Sequence, residues 1–228
     1  MKRLAAVAGA LMAAAVAGGA SAQAPIQVVE LFTSQGCASC PPADAAVAQL
    51  SARPELLTLS YGVTYWDSQG WKDTFAQSKF TERQWAYARG LKHSNVATPQ
   101  VVINGRLDVV GQSVPDIEAA LKRAALPAGG PQVTLEAGSV AISGAAPAHT
   151  AVVWLLRYEP NPITVPIKRG ENGGKTLTVQ HAVRELKRLG DWAGGVKSFA
   201  VPMGPTGLKT AVLLQAGNGG PILAGAKS

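Results

Sequence analysis

The sequence has 228 residues and a formal net charge of +7, and its length predicts one large domain or two small ones. Apart from Lys2 and Arg3, the whole excess of basic over acidic residues lies after Pro131. We interpret that excess as a solvated basic face. No nucleic-acid-binding motif accompanies the charge, so we exclude nucleic acid as an expected partner.

The first residues have the pattern of a secretory signal peptide. Met1-Lys2-Arg3 is followed by an apolar run from Leu4 to Ala20, and Ala20-Ser21-Ala22 fits a small-residue cleavage site. The run is short and interrupted by glycine, which argues against a membrane anchor. We therefore predict a signal peptide over residues 1–22, with cleavage after Ala24 as the alternative. The mature protein is expected to be exported to the periplasm or the extracellular space, without an integral membrane segment.

The two cysteines of the chain, Cys37 and Cys40, lie between a predicted strand and a predicted helix. The apolar run from Ile26 to Phe32 indicates a buried strand, and the alanine-rich run from Ala43 to Leu50 indicates a helix. A C-x-x-C pair in this strand–turn–helix context is typical of a redox motif.

The helix start explains why such a dithiol would be reactive. Unpaired backbone N–H groups and the helix dipole stabilise a thiolate, which lowers a cysteine pKa from about 8.5 toward roughly 3.5–7.5. We expect Cys37 to be the exposed nucleophile and Cys40, one turn into the helix, to resolve the mixed disulfide. Pro41 and Pro42 would lie in the first turn, where a missing N–H costs nothing.

Three other roles for the cysteine pair remain open. Cys37 and Cys40 could form part of a zinc site with two histidines from elsewhere, although no second cysteine pair exists. They could hold a soft metal such as Cu(I), which thiolates favour. They could also form an inert structural disulfide, whose very short loop would give little entropic benefit.

The remainder of the first half alternates predicted strands and helices. Thr81 to Gln84 fits a capping box, with Thr81 as the N-cap and Gln84 reaching back. An Asn-Gly pair predicts a tight hairpin turn. The predicted elements after the first helix are a strand over 56–63, a helix over 81–91, strands over 98–106 and 107–111, and a helix over 115–126. This β-α-β-α-β-β-α order predicts a thioredoxin-like α/β domain over residues 25–126.

Pro99 has a specific predicted role. Proline at the start of a central strand is awkward, because it cannot donate to the ladder. Thioredoxin-like folds place a cis-proline beside the dithiol, and Pro99 is in the matching place. We predict a cis Thr98–Pro99 bond, with the backbone of Thr98 free to pair with an extended substrate beside Cys37. An ordinary trans proline at a strand start is the alternative.

The breaker cluster from Pro127 to Pro131 predicts a domain boundary. Short β-like runs separated by glycine- and proline-rich turns follow it, and they indicate a small antiparallel β-sandwich over residues 131–228. Arg184 to Leu189 fits either strand or a helical turn. The eight runs are 132–135, 140–143, 150–158, 163–167, 176–183, 197–201, 208–215 and 222–224.

Several residues are candidates for supporting the dithiol. Glu30 lies in an otherwise apolar strand, where a buried carboxylate with a raised pKa could relay the proton of the resolving cysteine; local hydrogen bonding is the alternative. Asp44 is four residues after Cys40, on the same helix face, and could support that cysteine. A solvated residue near the start of the helix is the alternative. The dithiol could be lined by Trp66, Asp67 and Trp71. Alternatively, these residues could pack against the second domain. Of the histidines, only His93 is considered as a base or ligand.

The stretch from Glu30 to Asp44, ELFTSQGCASCPPAD, resembles the exported bacterial proteins of domain-of-unknown-function family 1223. Matching stretches are found at 65–67, 81–84, 98–105 and 169–172, over nearly the whole mature chain. The resemblance implies a thioredoxin-like domain followed by a β-rich domain, and it implies no proven activity. From thioredoxins proper the chain departs in having Ala38-Ser39 between its cysteines and no tryptophan before Cys37.

The sequence therefore predicts thiol–disulfide exchange on a protein or a small thiol, with no cofactor. The predicted site consists of Cys37, Cys40, Thr98, Pro99 and Glu30.

Overall fold

The computed structural model describes residues 25–228, so the signal peptide predicted over residues 1–22 lies outside the described residues. Within the described range, no helix is long and apolar enough to cross a membrane. The described chain contains helices and several small sheets, a mixed α/β structure.

The first half forms a four-stranded sheet with the order β2-β1-β3-β4. Strands β1 and β2 are parallel, whereas β3 runs antiparallel to both β1 and β4. The elements in chain order are β1 (Gln27–Thr33), α1 (Pro41–Leu50), β2 (Leu56–Gly62), α2 (Ser78–Gly90), β3 (Gln100–Ile103), β4 (Leu107–Val109) and α3 (Val114–Arg123).

Side chains of β1 alternate between two hydrophobic cores. Val29 and Leu31 pack against α1 and α3 on one face of the sheet. Val28 and Phe32 pack on the opposite face, together with Phe80 of α2. Because β1 is buried on both faces, it is a nearly continuous apolar run, as parallel strands require.

The second half is entirely β-structure. Its sheets have the orders β10-β7-β12-β13, β11-β6-β5 and β8-β9, and all of their pairings are antiparallel. The strands are β5 (Gln132–Glu136), β6 (Ser139–Ser143), β7 (Ala151–Tyr158), β8 (Ile163–Pro166), β9 (Thr176–Val179), β10 (Val183–Trp192), β11 (Lys197–Ala200), β12 (Lys209–Ala216) and β13 (Ile222–Lys227).

A core between two of these sheets holds the second half together. Val153 and Leu155 of β7 face Val140 and Ile142 of β6 across this core, beside the fully buried Trp192. Alternate residues of β7 point the other way, because successive side chains on a strand face opposite sides.

The outward face of β7 is buried against the first half. Leu156 and Tyr158 belong to the same hydrophobic core as Phe32 and Tyr61. A parallel bridge between Ser60 and Ala182 also joins the halves. The two segments predicted as separate domains therefore share a continuous apolar core, and their boundary at Pro127–Pro131 falls between α3 and β5.

The predicted capping box at Thr81 is wrong. Helix α2 begins at Ser78, with Gln77 as its N-cap and no side-chain capping bond. The Thr81 hydroxyl instead accepts a hydrogen bond from the backbone N–H of Thr64, and Gln84 is buried, where it donates to the carbonyl of Ala97. Tertiary partners thus occupy both side chains that a capping box needs.

One predicted β-run of the second half is divided in the structure. The run over 176–183 breaks after Val179, and a new strand begins at Val183. His181 has a φ of 50°, a left-handed conformation that interrupts a strand. The ambiguous segment from Arg184 to Leu189 is strand, because it pairs with β7 along most of its length.

Candidate dithiol site

Cys37 and Cys40 form a disulfide directly before α1, with 5.5 Å between their Cα atoms. The backbone N–H of Cys40 donates to the carbonyl of Cys37 and that of Cys37 to Ser34. Helix α1 begins at Pro41, so Cys40 is its N-cap residue. The prediction that Cys40 lies one turn into the helix is wrong, because the helical pattern starts only at the two prolines.

Both cysteines are fully buried, at 0% exposure. The exposed Cys37 expected from the sequence is therefore wrong for the oxidised protein, although Ala38 and Ser39 between the cysteines are exposed. Segments far away in the sequence lie on two sides of the disulfide and bury it.

Thr98 and Pro99 lie on one side of the disulfide. The Thr98–Pro99 bond is cis, as predicted. The sulfur of Cys37 lies 3.9 Å from the carbonyl oxygen of Thr98. The indole N–H of Trp66 donates to the Thr98 hydroxyl at 2.7 Å, so Trp66 holds the residue that contacts the sulfur. The structure thus brings three predicted residues, Cys37, Thr98 and Pro99, to one place.

Gln35 fixes the loop that leads to Cys37. Its backbone N–H donates to the Asp73 carboxylate at 2.8 Å. Its side-chain oxygen accepts from the indole N–H of Trp71 at 3.0 Å, and its amide donates to the Thr74 hydroxyl at 2.9 Å. The aromatic segment after β2 therefore serves partly to position the loop.

A loop of the second half covers the other side of the dithiol. The side-chain amide of Asn172 donates to the carbonyls of Gln35, at 3.1 Å, and Cys37, at 2.9 Å. The carboxylate of Glu171 accepts from the backbone N–H of Ala38 at 2.9 Å. Asn172 is fully buried. We call residues 169–174 the clamp loop, since its polar side chains hold the dithiol loop in place.

Glycine allows the clamp loop to approach closely. Gly170 has a φ of +78°, and a Cβ there would lie 3.2 Å from the Gln69 carbonyl and 3.3 Å from Trp71 Cβ. A larger residue would be strained by its backbone and crowded by the aromatic segment.

Glu30 lies away from the dithiol, contrary to the expected proton-relay role. Its carboxylate accepts hydrogen bonds from Tyr61 and Tyr87 and forms an ion pair with Arg83, with Nε 2.7 Å from Oε1. Like Val28, Glu30 lies on the face of β1 opposite α1. The alternation of the strand decides this, because one residue of register moves a side chain to the other face.

Asp44 is the partly buried carboxylate that follows Cys40 in the chain. It lies one helical turn after Cys40, and its backbone N–H donates to the Cys40 carbonyl. One carboxylate oxygen accepts from the Thr33 hydroxyl at 3.1 Å, whereas the other has no hydrogen-bond partner within residues 25–228. Burial raises the pKa of Asp44 to about 8, the Thr33 hydroxyl lowers it, and Asp73 raises it. Asp44 can therefore carry a proton at neutral pH.

Two histidines, His93 and His181, have side-chain partners among the described residues, and neither of them contacts the cysteines. His93 Nε2 lies 2.8 Å from the Asp108 carboxylate. His181 contacts Thr58, and burial lowers its pKa. Among residues 25–228, no cluster of three or more His, Cys, Asp or Glu side chains is placed to hold a metal ion.

Sequence reasoning assigned no role to the clamp loop and gave Asp44 only secondary weight. The spacing of four residues after Cys40 was the signal for Asp44. The signal for the clamp loop was the stretch Arg169 to Asn172, one of the segments that carry the family resemblance. No local pattern reveals that it contacts a loop more than 130 residues earlier.

Comparisons with known proteins identify a matching family and similar solved structures. The family model described as "Protein of unknown function (DUF1223)" matches residues 28–215. A solved structure of protein AGR_C_4864 from Agrobacterium tumefaciens is 32% identical, with a TM-score of 0.72, and the match covers 90% of this chain and 94% of that one. HBP35 of Porphyromonas gingivalis is similar in fold, at 14% identity and a TM-score of 0.59, covering 90% of this chain and 75% of that one. No curated protein matches the chain.

Proposed function

We propose that this chain, which belongs to the DUF1223 family of proteins of unknown function, is an exported thiol–disulfide oxidoreductase with a thioredoxin-like first half. The observation that carries the proposal is the contact between the disulfide and the Thr98–Pro99 segment. The Cys37 sulfur lies 3.9 Å from the Thr98 carbonyl, so a substrate strand that paired with Thr98 would bring its own sulfur to Cys37.

The sheet arrangement supports the thioredoxin-like assignment. The dithiol follows the central parallel strand β1, and the strand that begins after Pro99 is its antiparallel neighbour. Helices α1 and α3 pack on one face, and α2 packs on the other. A loop at the end of a central strand is where α/β folds commonly place reactive groups.

In the oxidising direction, a substrate thiolate attacks the Cys37 sulfur and breaks its bond to Cys40. Cys40 leaves as a thiolate and takes the proton that Asp44 holds at neutral pH. A second substrate thiol gives its proton to solvent and attacks the substrate sulfur of the mixed disulfide, so that Cys37 leaves as a thiolate. The substrate gains a disulfide, and the protein gains two electrons as its dithiol.

In the reducing direction, the same steps run backwards. The Cys37 thiolate attacks a substrate disulfide and releases one substrate thiolate. Asp44 then accepts the proton of Cys40, whose thiolate attacks the Cys37 sulfur and displaces the second substrate thiolate. The proton balance explains why a carboxylate with a pKa near neutrality suits both directions.

An inert structural disulfide is the second candidate, and the complete burial of both cysteines favours it. The two candidates differ in how quickly the disulfide exchanges. A catalytic disulfide is reduced by millimolar dithiothreitol within minutes in the folded protein, and its reduced Cys37 is alkylated much faster than Cys40. An inert disulfide is reduced only when the protein unfolds.

The test measures the rate of disulfide reduction and the relative alkylation rates of Cys37 and Cys40 on the mature protein, with alkylation sites located by mass spectrometry. Fast reduction without unfolding and selective alkylation of Cys37 are expected. Reduction that occurs only in denaturant would overturn the proposal. A Cys40→Ser variant, expressed in the organism that encodes the protein, should in addition retain substrates as mixed disulfides with Cys37. A Cys37→Ser variant serves as the matched control.

A further inference from the structure

A separate feature of the second half is a cavity of about 590 Å³ at the end of the core between the two sheets. Its volume lies within the range of about 300–1,000 Å³ that is typical of small-molecule sites. The walls are largely apolar and include Leu135, Val201, Pro202 and Met203. Met203 is fully exposed at 100% and lies at the rim.

Strand β7 has an arginine, Arg157, at a position where the alternation of the strand predicts an apolar side chain. On β7, Val153 and Leu155 point into the core between the sheets, so Arg157 continues the same inward row. Opposite them on β12 lie Leu214, Val212 and then Thr210. The last pair of the row, Arg157 and Thr210, is therefore polar, and both residues line the cavity.

The guanidinium of Arg157 is buried without a charged partner. Arg157 is 6% exposed, and no carboxylate among residues 25–228 lies within ion-pairing distance of it. Its Nη1 donates to the Thr210 hydroxyl and its Nη2 to the Pro202 carbonyl, whereas Nε has no partner in the described part of the chain. Two of its five N–H donors are thus used. Arginine is rarely this buried unless it is paired.

Glycine at position 204 makes room for this arginine. A Cβ at Gly204 would lie 2.7 Å from Arg157 Nε, so a larger residue would displace the guanidinium. Glu136 and Ser228 also line the cavity, but both are exposed, where water reduces the effect of a charge without removing it. The buried positive charge of Arg157 therefore dominates the inner part of the cavity.

We propose that this cavity binds a small organic carboxylate, with its carboxylate on the Arg157 guanidinium and its apolar body against Leu135, Val201 and Met203. A carboxylate supplies the missing negative charge and accepts two hydrogen bonds from one guanidinium. The apolar walls favour a hydrocarbon body over a small inorganic anion. This binding does not depend on the dithiol.

The test uses 4-phenylbutyrate as the probe and 4-phenylbutan-1-ol as its uncharged counterpart. Binding to the mature protein is followed by calorimetry and by the backbone amide signals of Gly138, Met203 and Gly204. Saturable binding of the carboxylate is expected, with the alcohol weaker by about tenfold or more, since the charge-assisted bonds are lost.

Two variants and a control locate the site. Arg157→Met should reduce the affinity for the carboxylate to that of the alcohol. Met203→Glu, at a fully exposed position, should weaken carboxylate binding by repulsion and leave the alcohol unaffected, and it decides the question if Arg157→Met does not fold. Arg188→Met, at an exposed arginine of the second half, should bind as the unaltered protein does. Absent or non-saturable binding, equal affinity for both probes, or carboxylate binding unaffected by Met203→Glu would overturn the proposal.

Discussion

The side-chain amide of Asn172 donates a hydrogen bond of 2.9 Å to the carbonyl of Cys37, a residue 135 positions earlier in the chain. Through this bond, a loop of the β-rich half contributes to the burial of a disulfide in the α/β half. The second half therefore has a structural connection to the proposed chemistry, and we expect access to Cys37 to depend on it.

Replacement of Asn172 by alanine is expected to expose the disulfide. The variant loses both hydrogen bonds to the dithiol loop, and it leaves the carbonyls of Gln35 and Cys37 without these donors. We expect dithiothreitol to reduce the disulfide severalfold faster, and the free energy of unfolding to fall by about 1–3 kcal/mol. Stopped-flow reduction and urea denaturation measure the two effects.

The matched control for this change is Asn218→Ala, because Asn218 is an exposed turn residue without a described side-chain hydrogen bond. Its reduction rate and stability should be those of the unaltered protein. If Asn172→Ala is reduced no faster than Asn218→Ala, the clamp loop does not control access.

Glu171→Gln is expected to lower the pKa of the Cys37 thiol in the reduced protein. The Glu171 carboxylate occupies the backbone N–H of Ala38, at 2.9 Å, and places a negative charge beside the position of a Cys37 thiolate. Like charges oppose each other, so removal of this charge favours the thiolate. The pH dependence of alkylation by iodoacetamide measures the pKa.

Glu82→Gln, at an exposed position of α2, controls for the general change in net charge. Its thiol pKa should equal that of the unaltered protein. If the pKa of the Cys37 thiol in Glu171→Gln equals or exceeds that of the unaltered protein, the clamp loop has no local electrostatic effect on Cys37.

Asp44→Asn is expected to slow reduction of the disulfide in a pH-dependent way. Because burial raises the pKa of Asp44 to about 8, the carboxyl is protonated below that pH and can give its proton to the leaving Cys40. We expect a loss of about tenfold or more at pH 6. Above pH 9 the difference should vanish or reverse, since the unaltered Asp44 is then deprotonated and its negative charge opposes a Cys40 thiolate. The ratio of the two rates across pH is the measurement.

The same substitution should change the pH dependence of stability. The pKa of Asp44 rises from about 3.9 in an unfolded chain to about 8 when folded, so the folded state binds more protons between these values. Stability then falls as pH rises from about 4 to about 8, by at most about 1.4 kcal/mol per pH unit. Asp44→Asn should remove this fall, and Asp116→Asn, at an exposed first-turn position of α3, should not.

Glu30→Gln is expected to destabilise the fold without altering thiol chemistry. The ion pair of Glu30 with Arg83 is almost fully buried, and loss of one partner leaves a buried charge, which costs about 3–5 kcal/mol. Glu118→Gln breaks an exposed ion pair with Arg53 and should cost less than about 1 kcal/mol. A selective effect of Glu30→Gln on Cys40 alkylation in the folded protein would contradict this prediction and indicate that Glu30 acts on the dithiol.

The sequence by itself determined the local elements and the position of the cysteine pair. The apolar run before the cysteines, the prolines after them and the Asn104-Gly105 turn are local signals, and the structure contains β1, α1 and the β3–β4 hairpin close to the predicted positions. The cis bond before Pro99 is predicted from its place at the start of a strand together with the cis-proline of thioredoxin-like folds, and the structure contains it. Such signals are readable because backbone conformation depends mainly on a few neighbouring residues.

Only the tertiary structure decided that Glu30 lies away from the disulfide and which segments cover the disulfide. The side of the sheet on which Glu30 lies depends on strand register, which places it with Arg83 rather than with Asp44 and the helix. The burial of Cys37 depends on Asn172, whose contact joins two halves that share one apolar core. These relationships arise from packing between distant segments, whose free energy depends on contacts that no window of neighbouring residues contains.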